Sequence, residues 1–138
     1  NFSHKQIISI IKLLKYLIRK YNINLKNVLG HSDISPDRKK DPGEKFPWKK
    51  LAKFNLSQWH NLDEKKIKKK RLIKLNFAEE FKFMRNLNKI GYHKISQKNY
   101  NFQKKILTKA FQRRFRQELI NGISDQECLI ISKNLLKS

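Results

Sequence analysis

The sequence predicts an α/β unit followed by a small all-helical unit, in a chain that is mostly helix. Three observations lead there. Apolar residues repeat at helical spacing over 7–21 and give way to a short apolar run at 25–29, the order of a helix feeding a strand. A polar loop rich in His, Asp and Pro follows that run, as loops carrying sites do at strand ends in α/β folds. From residue 76 onward three more apolar stripes, punctuated by Gly91 and Gly122, outline three short helices.

The first helix starts at Ser3, whose spacing to Gln6 is that of a capping box. Ile7, Ile10, Ile11, Leu14, Leu17, Ile18 and Tyr21 make one face, and Lys5, Lys12, Lys15, Arg19 and Lys20 fall mostly on the other. Such a helix is expected to pack on a sheet; its basic face also leaves a membrane-surface role open. Asn22 to Asn24 ends it, 25–29 is expected to be a strand, and Gly30 closes that strand so that His31 arrives at the sheet edge. His4, in the first turn, is expected to be solvated.

The next nineteen residues, GHSDISPDRKKDPGEKFPW, hold one histidine, three aspartates and three prolines. Pro36 and Pro42 stiffen the loop and Gly43 turns it, so His31 and Asp41 can meet at one point. An imidazole nitrogen and a carboxylate oxygen suit zinc, but a catalytic zinc usually takes three protein ligands, and the third is not evident. Asp33 reads as a turn residue or as a carboxylate steadying the His31 ring. Arg38 is expected to pair with Asp33 or face water; Asp37 and Lys40 read as surface.

This stretch resembles the type-2 family of zinc-dependent N-acetylmuramoyl-L-alanine amidases, whose wording runs GH-x-D-I-x-P-x-R-K-x-D-P-G-x-x-FPW. The resemblance implies the closing part of that family's mixed-sheet domain. It makes His31 and Asp41 zinc ligands and Lys39 the cation that steadies the transition state. It also implies hydrolysis of the amide between N-acetylmuramic acid and L-alanine by zinc-activated water. The family's first histidine ligand and its glutamate base lie well upstream of the motif. The chain is therefore expected to be a C-terminal fragment, inactive alone.

Phe46, Pro47 and Trp48 follow, with Pro47 suited to a helix's first turn and Trp48, Leu51 and Ala52 to its apolar face. Trp59 and His60 have no assignment, and spacing gives no support to His60 as a ligand. Residues 61–75 are expected to be a basic connector between units 1–60 and 76–138. Seven of the twelve residues in DEKKIKKKRLIK are basic, with acids first, as suits a solvated helix. No aromatics are interleaved to stack bases, which argues against a nucleic-acid stripe. Beyond it, Phe77, Phe81, Met84, Leu87 and Ile90 form one stripe. Phe102, Ile106, Leu107, Ala110, Phe111 and Phe115, within 99–118, form a second. Leu129, Ile131 and Leu135 form a third, with Ser124 and Glu127 spaced as a capping box.

The tail resembles the peptidoglycan-binding-type helical domain of some of these amidases. The likeness rests on LNKIGY at 87–92, AFQRRFR at 110–116 and NGISD at 121–125. Arg113, Arg114 and Arg116 read equally as contacts for wall carboxylates or as the solvated face of a helix. The expected partners are peptidoglycan or muropeptides, not nucleic acid. The expected location is the periplasm, the outer membrane or the exterior, with no export signal in view.

Composition sets wider bounds. A net charge of +22 attracts polyanions in general, yet Lys, Asn and Ile dominate as in an AT-rich coding sequence, so charge alone selects no function. No apolar run approaches the roughly 18 residues of a membrane span. Cys128 stands alone, which excludes an internal disulfide and reads as a small buried thiol. Two further functions compete: a non-catalytic wall-binding module keeping a vestigial loop, and a basic nucleic-acid-binding protein, marked by steep salt dependence.

Overall fold

The computed structural model describes residues 2–93 and 99–137. Seven α-helices follow one another among them: α1 (His4–Tyr21), α2 (His31–Ile34), α3 (Trp48–Lys53), α4 (Glu64–Lys68), α5 (Phe77–Ile90), α6 (Tyr100–Phe115) and α7 (Gln126–Leu135). No strand occurs among the described residues; the one β-type pairing is an isolated antiparallel bridge between Lys74 and Asp125.

The expected α/β unit is therefore corrected to an all-helical one. The segment expected as a strand, 25–29, instead forms a 3₁₀ turn, Leu25–Asn27. A lone strand leaves its backbone groups unpaired unless a neighbour supplies a ladder. Here the Asn24 side chain accepts the Lys26 N–H (3.1 Å), and the Asn27 and Val28 N–H groups bond back to Asn24 and Leu25. The local turn satisfies what a sheet would have satisfied. His31 consequently arrives as the first residue of α2, not at a sheet edge.

Helix α1 keeps the expected capping box, with Ser3 and Gln6 bonding each other's backbone N–H. Its apolar face meets a small cluster of Trp48, Leu51 and Leu56, against which Ile10, Ile11, Leu14 and Ile18 are partly buried. Ile8, Leu13, Tyr16 and Tyr21 stay exposed, so the helix is only half covered.

The larger core lies among α5, α6 and α7, with Phe83, Leu87, Leu107, Phe111, Leu129 and Ile131 at its centre. The α5 stripe is rotated from expectation. Phe77 and Phe81 are exposed (86% and 60%), and Phe83 takes the inward place beside Met84 and Leu87. The cap of α7 also differs: Asp125, not Ser124, accepts the Cys128 N–H (3.0 Å). Glu127 is left to pair with arginine. Trp59 packs against both clusters and so fills the seam between them.

The expected solvated connector is pinned. Asp63 caps α4 through the Lys65 and Lys66 N–H groups, and Ile67 is buried in the larger core. Arg71 forks onto Glu127 with bonds of 2.6 and 2.9 Å and reaches Glu118 at 2.8 Å. Lys68 and Arg71 together lower the Glu118 carboxyl to about 2.

Two expected outcomes arise here. Cys128 is fully buried, and burial pushes its thiol up to about 12. Alkylation by iodoacetamide at pH 8 should be blocked in the folded protein and rapid in guanidinium, because only the thiolate reacts. His60 is buried with Nδ1 unbonded, and desolvation lowers its pKa from 6.5. The unfolded chain then takes up a proton below pH 6.5 that the folded chain refuses. Stability is full above pH 6.5 and declines as pH falls toward the lowered folded value. In urea melts, His60→Gln should flatten that slope.

Candidate active site

The loop after α1 is shaped by backbone bonds before any side chain acts. The Ser32 N–H donates to the Asp41 carbonyl (2.9 Å), which clamps the two ends of the loop together. Inside the clamp, the Arg38 and Lys39 N–H groups bond the Ser35 carbonyl, and just beyond it the Gly43 N–H bonds that of Lys40. Gly43 takes a left-handed φ of 91°, which glycine adopts without penalty. Gly30 is required for closeness: a Cβ there would lie 2.5 Å from the Pro42 ring and 3.2 Å from Trp48.

This clamp brings His31 and Asp41 together, with Nδ1 of one against Oδ2 of the other. Both side chains are exposed, so the pair faces solvent. The contact with His31 is the main reason the Asp41 carboxyl titrates below its ordinary value, helped by the nearby charge of Lys39. Lys39 is exposed on the same loop. A cleft of about 280 Å³ runs beside the pair and is walled by Leu13, Leu14, Val28, Phe46 and Trp48.

A nitrogen and an oxygen donor converging on one exposed point match the preferences of zinc. Among the described residues no group of three His, Cys, Asp or Glu side chains is arranged to hold a metal ion. His60, elsewhere in the seam, stacks on Trp59 with ring centroids 5.2 Å apart.

Asp33 does not touch the His31 ring. Its Oδ2 accepts the Gly30 N–H and an Arg114 Nη1–H, each at 2.9 Å, and its Oδ1 accepts the Tyr92 hydroxyl at 3.0 Å. Arg38 lies instead beside Asp37 and bonds Ser35 Oγ. Burial, reinforced by the negative Asp33, raises Tyr92 well above the usual phenol value, so its hydroxyl stays a donor at ordinary pH.

The three arginines expected at a helix surface are all buried. Arg114 pairs with Asp33 and lies 3.7 Å over the Trp48 ring; Arg116 pairs with Asp125 and Glu127. Sequence reasoning missed Tyr92 and Arg114 as neighbours of the loop. The available signal was the scarcity of acids, 11 against 33 basic residues, which makes each buried acid a magnet for an arginine.

Residues 1–44 match the family model described as N-acetylmuramoyl-L-alanine amidase. The chain is 32% identical over 136 residues to the N-acetylmuramoyl-L-alanine amidase AmiD of Escherichia coli K12, covering 99% of this chain and 49% of that protein. Over 50 residues it is 37% identical to the 1,6-anhydro-N-acetylmuramyl-L-alanine amidase AmpD of Enterobacter cloacae, covering 36% of this chain and 27% of AmpD.

Among solved structures, E. coli AmiD in complex with the substrate anhydro-N-acetylmuramic acid-L-Ala-D-gamma-Glu-L-Lys superposes with a TM-score of 0.85 at 31% identity, over 99% of this chain and 52% of that one. AmpDH3 of Pseudomonas aeruginosa with anhydromuramic pentapeptide gives 0.82 at 28% identity, over 99% of this chain and 54% of that one. The chain thus spans about half the length of the curated AmiD it matches. In sequence and in structure it resembles the N-acetylmuramoyl-L-alanine amidases along nearly its whole length, and its first 44 residues match that family's model.

Proposed function

We propose that this chain is the C-terminal part of a zinc-dependent N-acetylmuramoyl-L-alanine amidase that cleaves the bond between N-acetylmuramic acid and the L-alanine of a stem peptide. The observation that carries the reading is the meeting of His31 and Asp41 inside the stretch that matches the family model. His31 and Asp41 would hold the metal. Zinc bound there would lower the pKa of a water toward neutrality and polarise the scissile carbonyl.

The chain's own residues supply the rest of what is visible. Lys39, exposed on the loop, would offer a cation to the carbonyl oxygen as it gains charge, a contribution worth roughly 3–4 kcal/mol at comparable sites. The cleft beside the pair offers an apolar wall against which a substrate could lie. The remaining metal donor and the carboxylate base would come from the part of the relatives' length that these residues do not span.

In this reading residues 1–60 complete the catalytic unit, 61–75 connect, and 76–138 form the wall-binding unit. The substrate is a peptidoglycan fragment, since AmiD and AmpDH3 are each seen with an anhydromuramic peptide. The place of action is the periplasm, the outer membrane or the exterior. No helix of the described residues is long and apolar enough to cross a membrane.

The test is digestion of defined muropeptides by the protein expressed from its whole gene, read by mass spectrometry. Release of free stem peptide with L-alanine at its amino end, stopped by a chelator and restored by zinc, is the expected result. Binding to wall sacculi without cleavage would favour a non-catalytic module instead.

A further inference from the structure

The Asp33 carboxylate joins two parts of the chain that are far apart in sequence. On one side it accepts the N–H of Gly30, the residue immediately before His31 (2.9 Å). On the other it accepts donors from the C-terminal helices: Arg114 of α6 (2.9 Å) and Tyr92, just after α5 (3.0 Å). These partners lie 81 and 59 residues away along the chain. The ion pair is largely buried, with side chains 6% exposed at Asp33 and 2% at Arg114. The Trp48 ring fixes the guanidinium further, with Cζ 3.7 Å from its centroid. At low dielectric such a charge-assisted pair has one preferred geometry and resists sliding.

Attachment of α6 alone would not need this arrangement, because α6 already meets α3, where Trp48 and Leu51 are buried. What Asp33 adds is a hold on the peptide that leads into His31. Its free oxygen capacity is used by the two distant donors, so the peptide's orientation follows the position of α6. The Ser32 N–H carries the same constraint across the loop to the Asp41 backbone (2.9 Å).

We propose that Arg114 and Tyr92 are positioning residues: acting through Asp33, they fix the backbone at Gly30 and His31 and keep the His31 imidazole in register with the Asp41 carboxylate. The C-terminal helices then do more than attach the enzyme to its substrate. They set the geometry of the metal pair. The proposal rests on the reading of His31 and Asp41 as metal ligands, and its test separates the two.

The test uses Tyr92→Phe, which removes one donor, and Arg114→Lys, which keeps the charge but loses the flat fork. Arg71→Lys serves as a control, since Arg71 contacts Glu127 and Glu118 and not Asp33. Two quantities are measured on the full protein: the His31 ring ¹⁵N signals without metal, and zinc affinity by competition with a chromogenic chelator. The expected result is shifted or broadened His31 ring signals and a loss of zinc affinity in both variants, about 10-fold or less because these residues act at one remove from the partners of a metal ligand. Arg71→Lys should lower the melting temperature with the ring signals unmoved. Unchanged ring signals in both Tyr92→Phe and Arg114→Lys would overturn the proposal, whatever happens to stability. A wild type that binds no zinc would overturn the metal reading, and the ring signals would still decide the positioning role.

Discussion

Asp41→Ala is expected to abolish muropeptide hydrolysis while leaving the fold intact. The loss should exceed the roughly 10- to 100-fold typical of a residue that only supports a metal ligand. Two features of the structure separate activity from stability at this position. The Asp41 side chain is exposed, and His31, which it contacts, is exposed as well. The loop is closed instead by backbone groups, since it is the Asp41 carbonyl that accepts the Ser32 N–H. Truncation at Cβ leaves that bond in place. Circular dichroism melts of the variant should therefore overlay those of wild type, while peptide release falls to background. His31→Ala should behave alike. Lys39→Ala should keep the zinc and lose about 10²–10³ in kcat, the measure of one charge aimed at a developing oxyanion. Equal kcat in wild type and Lys39→Ala would remove that residue from the chemistry.

Asp125→Ala should produce the largest loss of stability. Asp125 is 2% exposed and its carboxylate serves three donors: Arg116, the Leu72 N–H at 3.1 Å and the Cys128 N–H at 3.0 Å. It thereby caps α7, ties the connector to it and neutralises a buried guanidinium. Removing one member of a buried ion pair leaves the other charge uncompensated, at a cost of about 3–5 kcal/mol. Such a loss approaches the whole stability of many domains, roughly 5–15 kcal/mol. The urea midpoint should fall sharply, and Cys128, in the first turn of α7, should become open to alkylation. Asp125→Asn keeps one oxygen, enough to accept the Cys128 N–H but not the Leu72 N–H as well, and should lose somewhat less than Asp125→Ala. A midpoint for Asp125→Ala within experimental error of wild type would show that Arg116 finds adequate compensation in Glu127 alone.

The parts of this protein legible in its sequence are those governed by local rules. The α1 stripe shows through because its basic residues leave one apolar face, and Ser3 and Gln6 mark its start. The loop is legible because its Pro, Gly, His and Asp residues are unlike the lysine-rich chain around them. The misread elements depend on distant partners. The 25–29 run carries strand-like composition, yet its backbone is paired locally in a 3₁₀ turn capped by Asn24. Phe77 and Phe81 fit the helical spacing as well as Phe83 does, and the position of α7 decides which face is inward. Helix α6 buries Leu107, Thr108 and all of 110–115, so no single face marks its inward side. Arg114 and Arg116 were unreadable for that reason: their carboxylates lie across the fold or beyond a turn, and no periodicity reports them.

The measurement that bears most directly on the reading of His31 and Asp41 as metal ligands is the zinc content of the protein expressed from its whole gene, compared among wild type, His31→Ala and Asp41→Ala. The expected result is one tightly held zinc per wild-type molecule, lost from both variants under the same dialysis. Zinc retained at wild-type level in both variants would show that the metal sits elsewhere, and would contradict the assignment of this loop as the active site.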